Sequence, residues 1–202
     1  MEKYFIGIDS GTSGIKAVLF DLKGNEIGQK SFPLKGIFPR EDMYEEDMLE
    51  IWDKAVKCVK AVTEAFPDKE IVGIGITAQG DGLWMVDENM EPVRNGCCFC
   101  DGRAAKIVDR WVEDGTCDKL FEITGTRIFT GNQNGIVKWM EEHEPENLDK
   151  SRWLLHLKDY LFYRFTGKVT TDATDQSLIF LDQNKRDYLD ETFKICGIEK
   201  YK

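Results

Sequence analysis

The chain opens with apolar runs that predict β-strands. Runs over residues 4–9 and 15–21 are joined by a short Gly/Ser/Thr segment, which is typical of a β-hairpin. A third run over 25–31 continues the pattern as an antiparallel meander. The β-branched run over 71–77 predicts a buried strand, and right-handed crossover geometry places it parallel to the first strand.

Longer segments with apolar residues at steps of three and four predict helices. The clearest covers residues 45–65, where one face collects Met48, Trp52, Ala55, Val59, Val62 and Phe66. Further helices are predicted over 103–113, 117–123, 134–142, 154–165 and 189–195. Gly167 is expected to end the fourth of these, as a glycine after a helix commonly does. Short apolar runs over 83–86 and 97–100 predict two more strands.

Composition indicates a soluble protein and argues against two classes of function. The 202 residues are 42% apolar, which is enough for a sizeable core. Neither a membrane-length apolar run nor a signal sequence is present, so we expect a cytoplasmic protein without membrane contact. The net charge of −10 argues against a nucleic-acid partner. Any phosphate site must therefore be built locally, from backbone donors and a metal ion.

Three of the six cysteines form the segment Cys97-Cys98-Phe99-Cys100. Its spacing does not match the C-x2-C pairs of zinc sites. We interpret the segment as a buried strand in which cysteine acts as a small apolar residue. Disulfides are not expected in a cytoplasmic chain.

The first hairpin carries candidate phosphate chemistry. Asp9 ends the first strand, a turn of small residues follows over 10–14, and Lys16 lies just beyond it. Backbone N–H groups in such a turn suit phosphate oxygens, and a carboxylate at its rim suits hydrated Mg²⁺. The segment is not a Walker loop, because the Lys-Ser/Thr signature is missing and a strand follows. An ordinary hairpin with a polar loop is the alternative.

A polar turn follows the 71–77 strand. Gln79 and Asp81 alternate there with Gly80 and Gly82, so the backbone can bend sharply. The carboxyl edge of a sheet is where ligands bind in open α/β folds.

Five motifs occur in the order seen in the FGGY carbohydrate kinases, and the resemblance covers essentially all of the chain. It is nearest to the xylulose and erythritol kinase branch. The motifs are Asp9-Ser10-Gly11-Thr12-Ser13, Gln79-Gly80-Asp81-Gly82, Asp101-Gly102-Arg103, Lys138-Trp139 and Thr171-Asp172.

The resemblance implies a ribonuclease-H-like fold of the actin and hexokinase-like ATPase type. Its mixed sheet opens with the antiparallel meander and is flanked by helices. It also implies transfer of the γ-phosphate of ATP, with Mg²⁺, to a hydroxyl of a pentulose or polyol such as L-xylulose, xylulose or erythritol.

The resemblance assigns roles to the hairpin. Asp9 would act as the catalytic carboxylate that positions Mg²⁺ and phosphate. Gly11, Thr12 and Ser13 would form the phosphate loop, and Lys16 would contact phosphate.

The resemblance assigns sugar binding to Gln79, Gly80 and Asp81. D-xylulose kinases carry methionine and histidine around the last two positions, so this chain is expected to prefer another acceptor. Trp84 is a candidate for stacking on a sugar face, although a strand tryptophan is more often part of the core.

Asp101, Arg103 and Asn134 are further candidates for acceptor contact. The alternatives are structural: Asp101 as a helix N-cap with Arg103 paired to a surface carboxylate, and Asn134 as the cap of the next helix. Asp172 is predicted to be a cap rather than a catalyst.

The resemblance predicts that residues 1–202 are an incomplete N-terminal domain. The general base would lie beyond Lys202, and the adenosine pocket would lie in a following nucleotide-binding domain. Two alternatives are an actin-like or sugar-regulator protein that binds nucleotide without phosphorylating sugar, and a non-catalytic sugar-binding module. A homodimer is a further possibility.

Overall fold

A four-stranded mixed sheet organises the N-terminal half of the computed structural model, which describes residues 2–176, 180–182 and 184–202. The strands of the protein are β1 (Lys3–Gly11), β2 (Gly14–Asp21), β3 (Glu26–Pro33), β4 (Glu45–Glu46), β5 (Glu70–Ala78), β6 (Trp84–Val86), β7 (Gly96–Cys97), β8 (Trp153–Leu155), β9 (Leu181–Asp182) and β10 (Asp187–Tyr188). The main sheet has the order β3-β2-β1-β5, with β5 parallel to β1 and the other pairs antiparallel. The predicted meander and the parallel crossover strand are confirmed.

Eight α-helices and one 3-10 helix are found in the described residues. They are α1 (Met48–Ala65), α2 (Ala105–Glu113), α3 (Thr116–Thr124), α4 (Gln133–His143), α5 (Pro145–Lys150), α6 (Leu157–Thr166), α7 (Ala173–Gln176), α8 (Asp190–Cys196) and the 3-10 helix Glu199–Tyr201. None of these helices is long and apolar enough to cross a bilayer. Gly167 has the left-handed conformation after α6, as predicted.

The core of the sheet lies between its inner face and α1. Tyr4, Ile6 and Ile8 alternate along β1 and are buried, whereas Phe5 on the opposite face is 45% exposed. Asp47 caps α1 by accepting hydrogen bonds from two backbone amides of the first turn. The buried residues of α1 are Met48, Ile51, Ala55, Cys58 and Val62. A second cluster, built mainly from α2, α3, α4 and α8, packs around Trp111, Leu120, Ile136 and Phe193.

Three sequence predictions need correction. The first helix begins at Met48, because Glu45 and Glu46 pair with β7 as strand β4. The helix predicted over 154–165 begins at Leu157, since residues 153–155 form β8 and pair with β6. The strand β5 is not fully buried: it lies at the sheet edge, with Val72 and Ile74 more than 40% exposed.

The cysteine segment is only partly the buried strand that was predicted. Cys97 and Cys98 are fully buried, but β7 ends at Cys97. Phe99 and Cys100 are exposed. The strand is short because its partner β4 has only two residues.

Candidate active site

The β1–β2 hairpin presents the candidate phosphate loop at the end of the main sheet. Its register pairs Gly11 with Gly14, so Thr12 and Ser13 form a two-residue turn. The turn is tied to the structure behind it, because the Ser13 carbonyl accepts from the Leu34 amide at 3.0 Å. Only glycine fits at position 14, where a Cβ would lie 2.8 Å from the Phe32 carbonyl oxygen.

Asp9 and Lys16 face each other across the hairpin and are both exposed. In the described part of the chain the Asp9 carboxylate forms no hydrogen bond or ion pair, and no three metal-ligating side chains gather at one place. A free carboxylate without further protein ligands fits Mg²⁺, which keeps several waters and takes one or two carboxylates. The role of Asp9 in holding Mg²⁺ therefore stays a prediction.

The polar turn after β5 lies directly beside this hairpin. The Gln79 backbone amide donates to the Ser10 carbonyl at 2.9 Å and extends the β1–β5 pairing by one residue. Asp81 and Gly82 then have positive φ values of 54° and 74°, which reverse the chain. A Cβ on Gly82 would lie 2.3 Å from the Cys97 carbonyl oxygen, so close approach requires glycine there.

Asn132 is the partner of Asp81, and sequence reasoning missed it. The Asn132 amide nitrogen donates to the Asp81 carboxylate at 2.5 Å. Burial raises the pKa of Asp81, the Asn132 bond opposes that shift, and the charge of Asp175 adds to it. Asn134, the predicted residue, instead lies against α8, where its amide nitrogen is 3.7 Å from the Cys196 sulfur. It does not cap α4 with its side chain, so that interpretation is wrong.

Phe99 is a second residue that the motifs did not single out. A Cβ on Gly131 would lie 1.6 Å from the Phe99 carbonyl oxygen, so the loop before Asn132 rests on the Phe99 backbone. The Phe99 ring is 42% exposed beside this loop. The exposure of a large ring after a short strand was not visible in the sequence.

Asp101 and Arg103 belong to a buried ion network. The Arg103 guanidinium binds Asp101 at 2.8 Å and Glu45 at 2.5 Å, and all three side chains are at most 4% exposed. Arg94 also binds Glu45. Asp101 accepts from the Tyr44 amide at 2.8 Å and does not cap α2, whose N-cap is Ala104. Both structural alternatives, the cap and the surface pair, are therefore wrong: the network ties Glu45 of β4 to the segments on either side of β7.

Trp84 is completely buried in the main core, as the structural alternative had it. Asp172 is confirmed as a cap: its carboxylate accepts from the amides of Thr174 and Asp175 at the start of α7. Lys158 holds Asp172 at 2.6 Å and Asp175 at 2.9 Å. Burial raises the pKa of Asp172, but the bonds from Lys158 and Thr174 outweigh it and hold the pKa well below the usual range.

Glu46 reaches the polar turn from β4 and was not anticipated. Its carboxylate accepts from the Gln79 amide nitrogen at 2.8 Å. The side chain is buried, and this burial raises the pKa of Glu46 to about 7, against smaller opposing effects of Gln79 and Cys98.

An exposed carboxylate beside a tight hairpin and the half-buried polar turn next to it are thus the two parts of the candidate site. The chain belongs to the FGGY family of carbohydrate kinases: the model of the family's N-terminal domain matches residues 4–202.

Curated relatives and solved structures agree on this family. The chain is 37% identical over 169 residues to an L-xylulose/3-keto-L-gulonate kinase of Escherichia coli, covering 83% of this chain and 34% of that protein. It is 30% identical to an erythritol kinase of Brucella abortus, covering 96% and 38%. A ligand-bound xylulose kinase from Lactobacillus acidophilus superposes with a TM-score of 0.92 at 25% identity, covering 98% and 41%. The chain thus spans a little over a third of the length of these proteins.

Proposed function

We propose that this chain is the acceptor-binding part of an ATP-dependent kinase that phosphorylates a hydroxyl of a pentulose or polyol. The observation that carries the proposal is the hydrogen bond between the Gln79 backbone amide and the Ser10 carbonyl. This bond sets the polar turn over residues 79–82, here called the acceptor turn, beside the phosphate hairpin. Phosphoryl transfer depends mainly on positioning and charge neutralisation, so these two elements need to be neighbours.

Asp9 would hold Mg²⁺, which when bound neutralises charge on the phosphate groups. The hairpin amides and Lys16 would orient the phosphate. Asp81 and Gln79 would bind acceptor hydroxyls, and the fully buried Asn132 would hold the Asp81 carboxylate in place. The buried Asp101 and Arg103 would act indirectly, by tying Glu45 of β4 to the segment that follows β7. A nucleotide-binding domain and a general base would come from the remainder of a longer kinase, in the cytoplasm.

An L-pentulose or tetritol is the acceptor class that we favour. Gly80 offers no side chain and Asp81 offers a carboxylate around the positions where D-xylulose kinases carry methionine and histidine. The names of the L-xylulose and erythritol kinase relatives agree with this choice. A site that hydrogen-bonds hydroxyls leaves polar groups unpaired when one hydroxyl is inverted, so discrimination is expected to be large.

The test is a panel of acceptors offered to the full-length kinase that contains this chain. We expect L-xylulose, erythritol or a close relative to be used at least about tenfold better than D-xylulose and glycerol. Asp81→Ala should raise the acceptor KM strongly while leaving the KM for ATP nearly unchanged. Preference for glycerol, or unchanged acceptor kinetics in Asp81→Ala, would refute the proposal.

A further inference from the structure

Two buried oxygen atoms at the acceptor turn lack a hydrogen-bond donor. The Gln79 amide nitrogen donates to Oε2 of Glu46 at 2.8 Å. The other oxygen of each group, Oε1 of Glu46 and Oε1 of Gln79, is buried and has no partner of hydrogen-bond geometry among the described residues, and the Cys98 thiol acts on the Glu46 carboxyl only as a weak donor. An unsatisfied buried acceptor is costly, and here two of them belong to side chains that already share one bond.

A single proton on Oε1 of Glu46 would satisfy both atoms. A carboxylic acid offers one O–H donor and one carbonyl acceptor, and a primary amide offers one N–H donor and one carbonyl acceptor. The two groups therefore complement each other in a pair of parallel hydrogen bonds. We propose that Glu46 in its neutral, carboxylic acid form pairs with the Gln79 side chain and positions it for the acceptor; the last part of this inference rests on the proposed function.

The surroundings of Glu46 favour the neutral form. The groups that face it are the Tyr44 hydroxyl, the Cys98 and Cys100 thiols and the Glu50 carboxyl, and none of them can carry positive charge. No ion pair to Glu46 occurs in the part of the chain that the structure describes. Its sequence neighbour Glu45 differs completely, because it binds both Arg94 and Arg103.

The same burial that raises the pKa of Glu46 to about 7 argues against direct contact with the acceptor. The side chain is 1% exposed, so a sugar cannot touch it unless the turn moves. Gln79 is half-buried: its side chain bonds Glu46, and its backbone amide bonds the Ser10 carbonyl. Glu46 is therefore a positioning residue: the acid fixes which edge of the Gln79 amide is turned toward the site, whereas the carboxylate would repel the Gln79 carbonyl.

The protonation of Glu46 can be measured on the 202-residue chain itself. Glutamate labelled with ¹³C at the carboxyl carbon should give one resonance that titrates near pH 7. That resonance should vanish in Glu46→Gln and persist in Glu64→Gln, an exposed control on α1. If every glutamate resonance titrates near its ordinary value, the inference is overturned.

The positioning role is tested by acceptor kinetics of the full-length kinase. Only the protonated fraction would bind well, so the acceptor KM of the wild type should rise about tenfold from pH 6 to pH 8 with little change in kcat. Glu46→Gln mimics the acid and should keep the low-pH KM across this range. Glu46→Met, which cannot donate to Gln79, should have a high KM throughout.

A wild-type acceptor KM that does not change with pH, combined with a raised KM in Glu46→Gln, would mean that the ionised carboxylate is required. This result would overturn the inference. Complete inactivity toward all acceptors, together with a Glu46 resonance that titrates near pH 7, would refute the proposed function and leave the acid–amide pair established. The two failures are thus distinguishable.

Discussion

The phosphate hairpin and the acceptor turn lie side by side but are built in opposite ways. The hairpin displays Asp9 and Lys16 to solvent and needs only local strand pairing to do so. The acceptor turn holds Asp81 and Gln79 in partly buried positions, where they depend on fully buried partners from distant segments, Asn132 and Glu46 of β4. Exposed charges of the first kind can act on a ligand at little cost to the fold, whereas buried groups of the second kind link ligand recognition to stability.

This contrast predicts that changes at the hairpin affect chemistry and leave folding intact. Asp9→Asn removes the charge proposed to hold Mg²⁺ and should lower kcat of the full-length kinase by at least about a hundredfold, since a metal ion supplies several kcal/mol of charge stabilisation. The acceptor affinity and the urea midpoint of unfolding should stay close to wild type. Wild-type turnover in Asp9→Asn, or loss of sugar binding first, would remove Asp9 from the mechanism.

Changes in the buried network beneath the turn should affect folding most. Arg103→Met leaves the buried carboxylates Asp101 and Glu45 without their shared cation, and breaking a buried pair in this way costs about 3–5 kcal/mol of unfolding free energy. Arg110→Met is the matched control, because it breaks an exposed 2.7 Å pair with Glu142 and should cost less than about 1 kcal/mol. Urea unfolding of the two variants measures both values. Equal losses would erase the distinction between buried and exposed pairs.

The pH dependence of stability offers a finer test. The pKa of Glu46 is raised from 4.5 to about 7 on folding, so the native state holds a proton that the unfolded state releases. This term lowers the wild-type unfolding free energy as pH rises from about 4.5 to about 7, by at most about 3 kcal/mol. The unfolding free energy of Glu46→Gln should lack this pH dependence. The variant should therefore be more stable, relative to wild type, at pH 8 than at pH 5. If urea unfolding gives the same stability difference between the two proteins at pH 5 and pH 8, the neutral acid is contradicted.

The smallest expected effect belongs to the second charge of the hairpin. Lys16→Met removes an exposed side chain, and surface changes of this kind usually alter the unfolding free energy by less than about 0.5 kcal/mol. The KM for ATP should rise a few-fold while the acceptor KM does not change. A large loss of stability would place Lys16 with the buried turn instead of the exposed hairpin.

The hairpin was predictable from the sequence because its determinants are local. Alternating apolar residues define β1 and β2, and the small residues between them define the turn. The polar turn was also predictable, as a glycine-spaced cluster directly after a strand. The sequence therefore determined which elements carry the candidate chemistry, and its motifs determined the family.

Tertiary structure alone decided which side chains meet at the acceptor turn. Glu46 and Gln79 are 33 positions apart, and Asn132 and Asp81 are 51 apart, so neither pair leaves a periodic signal. The same limit explains the misplaced start of the first helix: residues 45–46 suit a helix locally, but pairing with β7 makes them a strand. Burial is likewise a property of the assembled fold, and it is burial that places the pKa of Glu46 near 7 and hides Asp101 and Arg103 beneath the site. Composition and spacing fix local geometry, whereas dielectric environment and long-range pairing arise only when distant segments pack together.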